Sequence, residues 1–157
     1  MTQTPSRGFT LIELLIVVII LGMLAAIVVP ASVEVRTEAR QAAFVSELRI
    51  FVDAAALYEA KTRRQLEDGS SGAVPTGFED YISTKGWLDG SPIGGLWDAE
   101  RDSFGVKSAV GVHFQDDEPQ PDAYMAEIDA LIDDGDLTTG GFRKLADDRF
   151  YYILAQS

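Results

Sequence analysis

Arg7-Gly8-Phe9-Thr10-Leu11-Ile12-Glu13 opens an apolar run, LLIVVIILGMLAAIVVP, that covers residues 14–30. From Phe9 to Val29 only Glu13 can carry a charge. A helix needs about 20 mostly apolar residues to cross a bilayer, so the run is long enough to span one. A carboxylate at the centre of such a span costs about 2.5–3.5 kcal/mol, so Glu13 needs a partner or a task. Glu13 stands one helical turn beyond Phe9, about 6 Å along the axis. Near a membrane face it could snorkel to the headgroups, and a helix N-terminus favours negative charge.

The charges around the run give an orientation. Arg7 precedes it and no acid occurs in Met1–Gly8, which keeps the N-terminus cytoplasmic and places the body outside. Arg36 and Arg40, beyond the far end, weaken that bias. The chain has formal net charge −12, from 25 acidic and 13 basic residues, nearly all the acid lying after the run. Such an exterior repels nucleic acid and anionic lipid headgroups, and no nucleic-acid partner is expected. With no cysteine, disulfides, thiol nucleophiles and cysteine-based metal sites are excluded.

The combination of a short polar leader, a basic residue, a Gly-Phe junction and a lone acid in an apolar helix resembles the processing signal of type IV pilins and type II secretion pseudopilins. The resemblance covers Ser6 to Pro30 closely and the remainder only in layout. It implies cleavage by prepilin peptidase between Gly8 and Phe9 and N-methylation of Phe9. It implies a role in assembly for Glu13, whose carboxylate would meet the Phe9 amine of a neighbouring subunit. The expected partners are further copies of the chain in a helical filament, the peptidase, inner-membrane assembly machinery, and membrane lipid before assembly. The expected location is the inner membrane as a single-pass protein with its C-terminal domain in the periplasm, then a filament in the periplasm or at the cell surface. The fold implied is α+β: a long N-terminal helix, membrane-spanning in its first half, packed on a small antiparallel sheet with one additional short helix.

Two rival readings stand beside this one. Residues 1–31 could be an ordinary secretory signal cut after Val29-Pro30-Ala31, although the apolar core exceeds the usual 7–15 residues and opens with an acid. The chain could also be a membrane-anchored or secreted extracytoplasmic binding domain that forms no filament.

Along the chain, residues 1–8 read as leader, 9–30 as the membrane or filament-core helix, 31–68 as its amphipathic continuation, and 69–157 as a β-rich globular domain. Gly22 and Pro30 are candidate helix breaks, since glycine costs about 1 and proline about 3 kcal/mol in a helix interior. They permit either a kink at the membrane exit or a segment that unwinds in a filament. Phe44, Leu48, Phe51, Ala55 and Tyr58 recur at helical period and mark a core-facing stripe, with Glu59 and Arg63 placed for an i,i+4 pair. The helix is expected to end near Leu66, before Gly69-Ser70-Ser71-Gly72. A short helix is expected over Phe78–Ile82, and Trp87 and Trp97 are expected to cover a core edge. Leu96–Ala99 and Gly105–Phe114 read as a hairpin turning over residues 100–103, with Val110, Val112 and Phe114 facing inward. Asp122 is a candidate N-cap for a helix burying Met125, Ile128, Leu131 and Ile132. Phe142–Leu145 and Arg149–Leu154 read as a second hairpin.

No catalytic residue and no enzyme activity are expected. His113 is the sole histidine and sits in a strand pattern, and no glycine-flanked serine elbow or phosphate-binding loop accompanies it. If any metal binds, it is calcium on oxygen ligands, the candidates being Asp116, Asp117, Glu118, Asp133, Asp134 and Asp136, although neither cluster has EF-hand spacing.

Overall fold

The computed structural model describes residues 9–115 and 118–156; within residues 26–34 it describes the backbone alone. Helix α1, Leu11–Thr62, runs for 52 residues and passes through Gly22 and Pro30. The chain divides into two compact units, Met1–Ala39 and Arg40–Ser157.

In the first unit every large apolar side chain from Leu11 to Leu24 is between 48% and 88% exposed. Within this unit the helix presents aliphatic surface on all sides, so no face of it is specialised for a core of its own. Among the described residues no helix is long and apolar enough to cross a membrane. The described aliphatic side chains, residues 11–25, rise about 22 Å at 1.5 Å per residue, against about 30 Å for a hydrocarbon core.

The second unit holds the α+β architecture expected from the sequence. Its elements after α1 are α2 (Thr84–Leu88), β1 (Leu96–Ser103), β2 (Val106–His113), α3 (Asp122–Ile132), β3 (Phe142–Ala146) and β4 (Arg149–Gln156). The sheet is antiparallel throughout, in the order β1-β2-β4-β3. The stripe Phe44, Leu48, Phe51, Ala55 and Tyr58 is buried along its length, joined in one core with Val110, Val112 and Phe114 from the sheet side and Met125 and Ile128 from α3.

Trp87 and Trp97 lie at the centre of this core rather than on its edge, both fully buried. Trp97 stacks on Phe44 with centroids 5.3 Å apart and meets Phe51 edge-on at 4.9 Å. Trp87 meets Phe51 and Phe78 edge-on and donates its indole N–H to the Ala73 carbonyl at 3.0 Å. Such aromatic pairs contribute about 0.5–1.5 kcal/mol each beyond their area. One ring from α2 and one from β1 therefore interlock with two from α1, which anchors the turn-rich segment between the tryptophans at both ends.

Several boundaries differ from those read in the sequence. The helix ends at Thr62, not near Leu66, because Arg63 takes a left-handed conformation (φ 58°) and Thr62 Oγ1 accepts the Arg64 N–H. The Arg63 N–H still donates to the Glu59 carbonyl at 2.9 Å as the last helical bond, while the Glu59 carboxylate accepts a hydrogen bond from Ser108 Oγ. Residues 78–82 form turns, and the short helix lies at Thr84–Leu88. Strand β1 continues through residues 100–103, and the hairpin turns at Phe104 and Gly105, both with positive φ as a two-residue type I′ turn requires. Pro121, not Asp122, occupies the N-cap of α3, and Leu131 is 52% exposed while Asp129 is buried.

Away from the main core the sheet carries a second, smaller buried cluster of Val106, Ala109, Tyr151 and Ile153. Asp98, Gly111 and Tyr151 stand opposite one another across β1, β2 and β4. A Cβ at Gly111 would lie 2.5 Å from Tyr151 Cα and 2.7 Å from the root of its ring, so the glycine leaves the space the tyrosine needs. The tyrosine hydroxyl reaches Asp98 Oδ2 at 2.8 Å. Gly111→Ala is expected to cost about 1–3 kcal/mol or more by overpacking. Denaturant titration followed by the fluorescence of the two buried tryptophans measures it; an unchanged midpoint would contradict the packing described.

Candidate functional site

The residues singled out by the N-terminal signal fall at the start of α1. Gly8 lies outside the described residues. Phe9 is exposed and stands just before the helix. Thr10 and Glu13 close a reciprocal capping box: the Thr10 N–H and hydroxyl each donate to Glu13 Oε2 at 2.9 Å, and the Glu13 N–H approaches Thr10 Oγ1 at 3.4 Å. This satisfies otherwise orphaned helix donors. Thr-Leu-Ile-Glu spells the capping-box pattern, and the reading of Glu13 as a lone membrane acid missed it. Both of these bonds to the carboxylate use Oε2. Around Gly22 no side chain or distant backbone atom among the described residues lies within 4 Å of where a Cβ would be, so none of them demands glycine there.

His113 stands in β2 as expected, but it is part of a polar cluster that the sequence does not reveal. His113 Nδ1 lies 2.6 Å from Ser71 Oγ and Nε2 lies 3.0 Å from Asp148 Oδ2. Ser71 in turn donates to Asp98 Oδ2 at 3.0 Å, and Arg149 reaches both Asp98 and Glu100. Asp98 and Glu100 are each 4% exposed, and burial pushes both carboxyls upward despite the hydrogen bonds and the guanidinium that oppose it. Burial likewise raises the Tyr151 phenol, with the neighbouring Asp98 charge adding to it. Ser71, His113 and Asp148 are linked in the order of an acyl-transfer triad. Yet the serine meets Nδ1 and the aspartate Nε2, the reverse of the usual triad, and Ser71 Oγ also lies 3.0 Å from Asp98 Oδ2, so these contacts link the 70–72 loop and the turn at 147–148 to the sheet.

The acidic candidates separate into distinct groups. Asp116 and Asp117 lie outside the described residues, and Glu118 is exposed in the segment before α3. Asp136 accepts the hydroxyl and N–H of Thr138, which hold its carboxyl below the usual range. Asp133 and Asp134 do come together, and with a residue the sequence reading left out, Asp129. Carboxylate oxygens of these three lie within 4.8 Å of one another where α3 passes into the loop leading to β3. Asp129 is fully buried, and neither of its oxygens has a hydrogen-bond partner. Burial, then the closeness of Asp133 and Asp134, raise its carboxyl to about 7. Burial works against Asp133 too, but the proximity of the Asp129 carboxyl and the N–H groups of Gly141, Asp134 and Phe142 hold it below the ordinary range. The signal for Asp129 in the sequence was its spacing: it sits four residues before Asp133, one turn away on a face otherwise read as apolar.

Residues 4–29 match the family model described as the prokaryotic N-terminal methylation motif. The chain thus carries the N-terminal signal shared by type IV pilins and pseudopilins, on an α+β fold of pilin layout, a long N-terminal helix and an antiparallel sheet. Neither the curated proteins nor the solved structures give a match.

The Asp129 carboxyl makes a definite pH prediction. Its folded value of about 7 lies above the 3.8 of a free aspartate, so the folded state binds the extra proton between those pH values. The stability tied to that proton is full below about pH 4 and is lost as pH rises to about 7. In metal-free buffer the thermal midpoint should fall across that window, and Asp129→Asn should flatten the fall. Equal slopes for the two proteins by circular dichroism would contradict the assignment.

Proposed function

We propose that this chain is a structural subunit of a type II secretion pseudopilus or a type IV pilus. Prepilin peptidase would cut it after Gly8 and methylate Phe9. It would wait in the inner membrane with its N-terminus cytoplasmic and Arg40–Ser157 in the periplasm, then pass into a helical filament. The chain acts by assembling, and we propose no enzyme activity for it. The observation that carries this reading is the methylation-motif match over residues 4–29, set on a helix whose aliphatic side chains from Leu11 to Leu24 are exposed. Lipid before assembly and neighbouring helices after it would both cover that surface. The far larger second unit, with its acidic exterior, would form the filament's outside.

In the filament the Glu13 carboxylate would pair with the methylated amine of Phe9 on an adjoining copy, which sets the axial stagger between subunits. The capping bonds from Thr10 fall on Oε2, which leaves the other oxygen's lone pairs for a second donor. In low dielectric a charge pair of this kind is strong when its geometry is good, and removing one partner is costly.

The same capping box also favours a second reading. If Glu13 serves only as a helix cap, it needs no neighbour, and the chain would be an anchored extracytoplasmic domain without a filament. Glutamine keeps the capping box while removing the charge, so Glu13→Gln separates the two. Under the filament reading, Glu13→Gln and Glu13→Ala are both cleaved, as seen by gel mobility, and filaments seen by electron microscopy fall to background in each. Filaments of normal yield and length from Glu13→Gln would remove the charge pair.

A further inference from the structure

We propose that the pocket between the end of α1, the loop at Thr76 and strand β1 binds a phosphate-bearing anion. The pocket has a volume of about 790 Å³, and Arg63, Arg64 and Arg101 line it with Gln65 and Thr76 beside them. Three arginines thus gather at one place in a chain of formal net charge −12. Among the described residues none of the three has an ion-pair partner or a side-chain hydrogen bond, although the chain offers 25 acidic residues. Two of those acids, Glu59 and Glu67, share the lining, yet neither lies within ion-pair distance of an arginine. The Glu59 carboxylate is held instead by Ser108 Oγ.

A plainer role accounts for part of this. A helix C-terminus attracts cations, which explains Arg63 and Arg64 where the chain leaves α1. It does not explain Arg101, which comes from β1. Nor does it explain the backbone of Arg63, which is left-handed at a position where glycine or asparagine ordinarily ends a helix. Successive residues of a continuing helix point about 100° apart around its axis, whereas Arg63 and Arg64 both line the same pocket. Sparsely populated backbone conformations of this kind gather at ligand clamps. The walls are also fixed in advance. Thr62 Oγ1 donates to the Tyr58 carbonyl at 2.8 Å and accepts the Arg64 N–H at 3.2 Å. The Tyr58 hydroxyl reaches the Thr76 carbonyl at 3.4 Å, which ties the loop to the helix. The Thr76 hydroxyl and the Gln65 amide form no hydrogen bond among the described residues, so both remain as neutral donors.

The donors select the anion. A guanidinium is a planar fork that gives two parallel N–H bonds to an oxyanion, which a lysine cannot do. A carboxylate offers two oxygens, whereas a phosphate monoester offers three and carries a charge of about −1.5 to −2 at neutral pH. Three forks therefore suit a phosphate better than a single carboxylate. The acidic exterior repels anions at a distance, but salt screens that repulsion beyond about 8 Å, and inside the pocket the nearby guanidiniums dominate. A soluble phosphate ester and a lipid headgroup present the same group to these donors. This inference does not depend on the chain forming a filament.

The test uses the full-length protein in zwitterionic detergent at physiological salt, titrated by calorimetry with sodium tripolyphosphate. One site is expected, with a dissociation constant of about 10⁻⁴ M or tighter. Arg63→Gln and Arg101→Gln, both at exposed positions, should each weaken binding about tenfold and leave the anion-free thermal midpoint unchanged. Arg101→Lys keeps the charge without the fork and should weaken binding too. Lys107→Gln removes an exposed cation of β2 that does not line the pocket, and it should bind as the unaltered chain does. Absence of binding, or an equal loss in Lys107→Gln, would overturn the site, the second result showing diffuse attraction instead. Full affinity in Arg101→Lys would overturn recognition by forks, and citrate binding as tight as tripolyphosphate would overturn the choice of phosphate. The titration is repeated in micelles containing phosphatidate or phosphatidylglycerol. Weakening by phosphatidate alone assigns the pocket to a lipid headgroup, and any other pattern assigns it to a soluble phosphate.

Discussion

The constraint on which the structure rests is that helix α1 meets two different surroundings along one continuous backbone. From Leu11 to Leu24 its aliphatic side chains are exposed on every side, whereas from Phe44 to Tyr58 a single stripe is buried against aromatic and aliphatic partners. Burying one such aliphatic side chain fully is worth about 1.5–3 kcal/mol. The stripe gains that within the chain. Among the described residues the first stretch gains no such burial within its own unit, and that burial is what the proposed membrane and filament would supply. The methylation-motif match falls on that stretch and not on the striped one.

On the side away from the helix, the sheet of the second unit combines a small apolar cluster, Val106, Ala109, Tyr151 and Ile153, with a buried polar network. Tyr151 lies across Gly111 to reach Asp98, and Arg149 bridges Asp98 and Glu100 beneath it. Buried ion pairs of this kind contribute little net stability against an apolar replacement, but breaking one partner is costly. Their effect here is to fix register: Asp98, Gly111 and Tyr151 are in line only when β1, β2 and β4 pair as they do. A one-residue slip would turn the tyrosine toward the helix and the tryptophan of β1 toward solvent.

Much of this was legible in the sequence where a period repeats and illegible where the decisive contact is long-range. The stripe at Phe44–Tyr58, the alternation at Val110, Val112 and Phe114, and both hairpins follow from spacing alone. The hairpin turn at Phe104-Gly105 was misplaced because the polar residues 100–103 read as turn, whereas Glu100 is a buried strand residue paired with Arg149. The tryptophans read as edge residues because they flank glycine and proline; their depth comes from Phe44 and Phe51, distant in sequence. Asp129 carried only its spacing from Asp133 as a signal, since an acid on an apolar helix face gains meaning only when the following loop folds Asp133 and Asp134 back beside it. The capping box, by contrast, is local and is spelled out by Thr10 and Glu13, three residues apart.

The account depends on Phe9 becoming a free, positively charged terminus, because without it neither the pairing of Glu13 between copies nor the release of the helix from its leader follows. Intact-mass and N-terminal fragment spectra of the protein extracted from its native membrane test this most directly. The expected species begins at Phe9 and carries one methyl group on the Phe9 nitrogen. A chain that retains residues 1–8, or one that begins at Ser32, would contradict it.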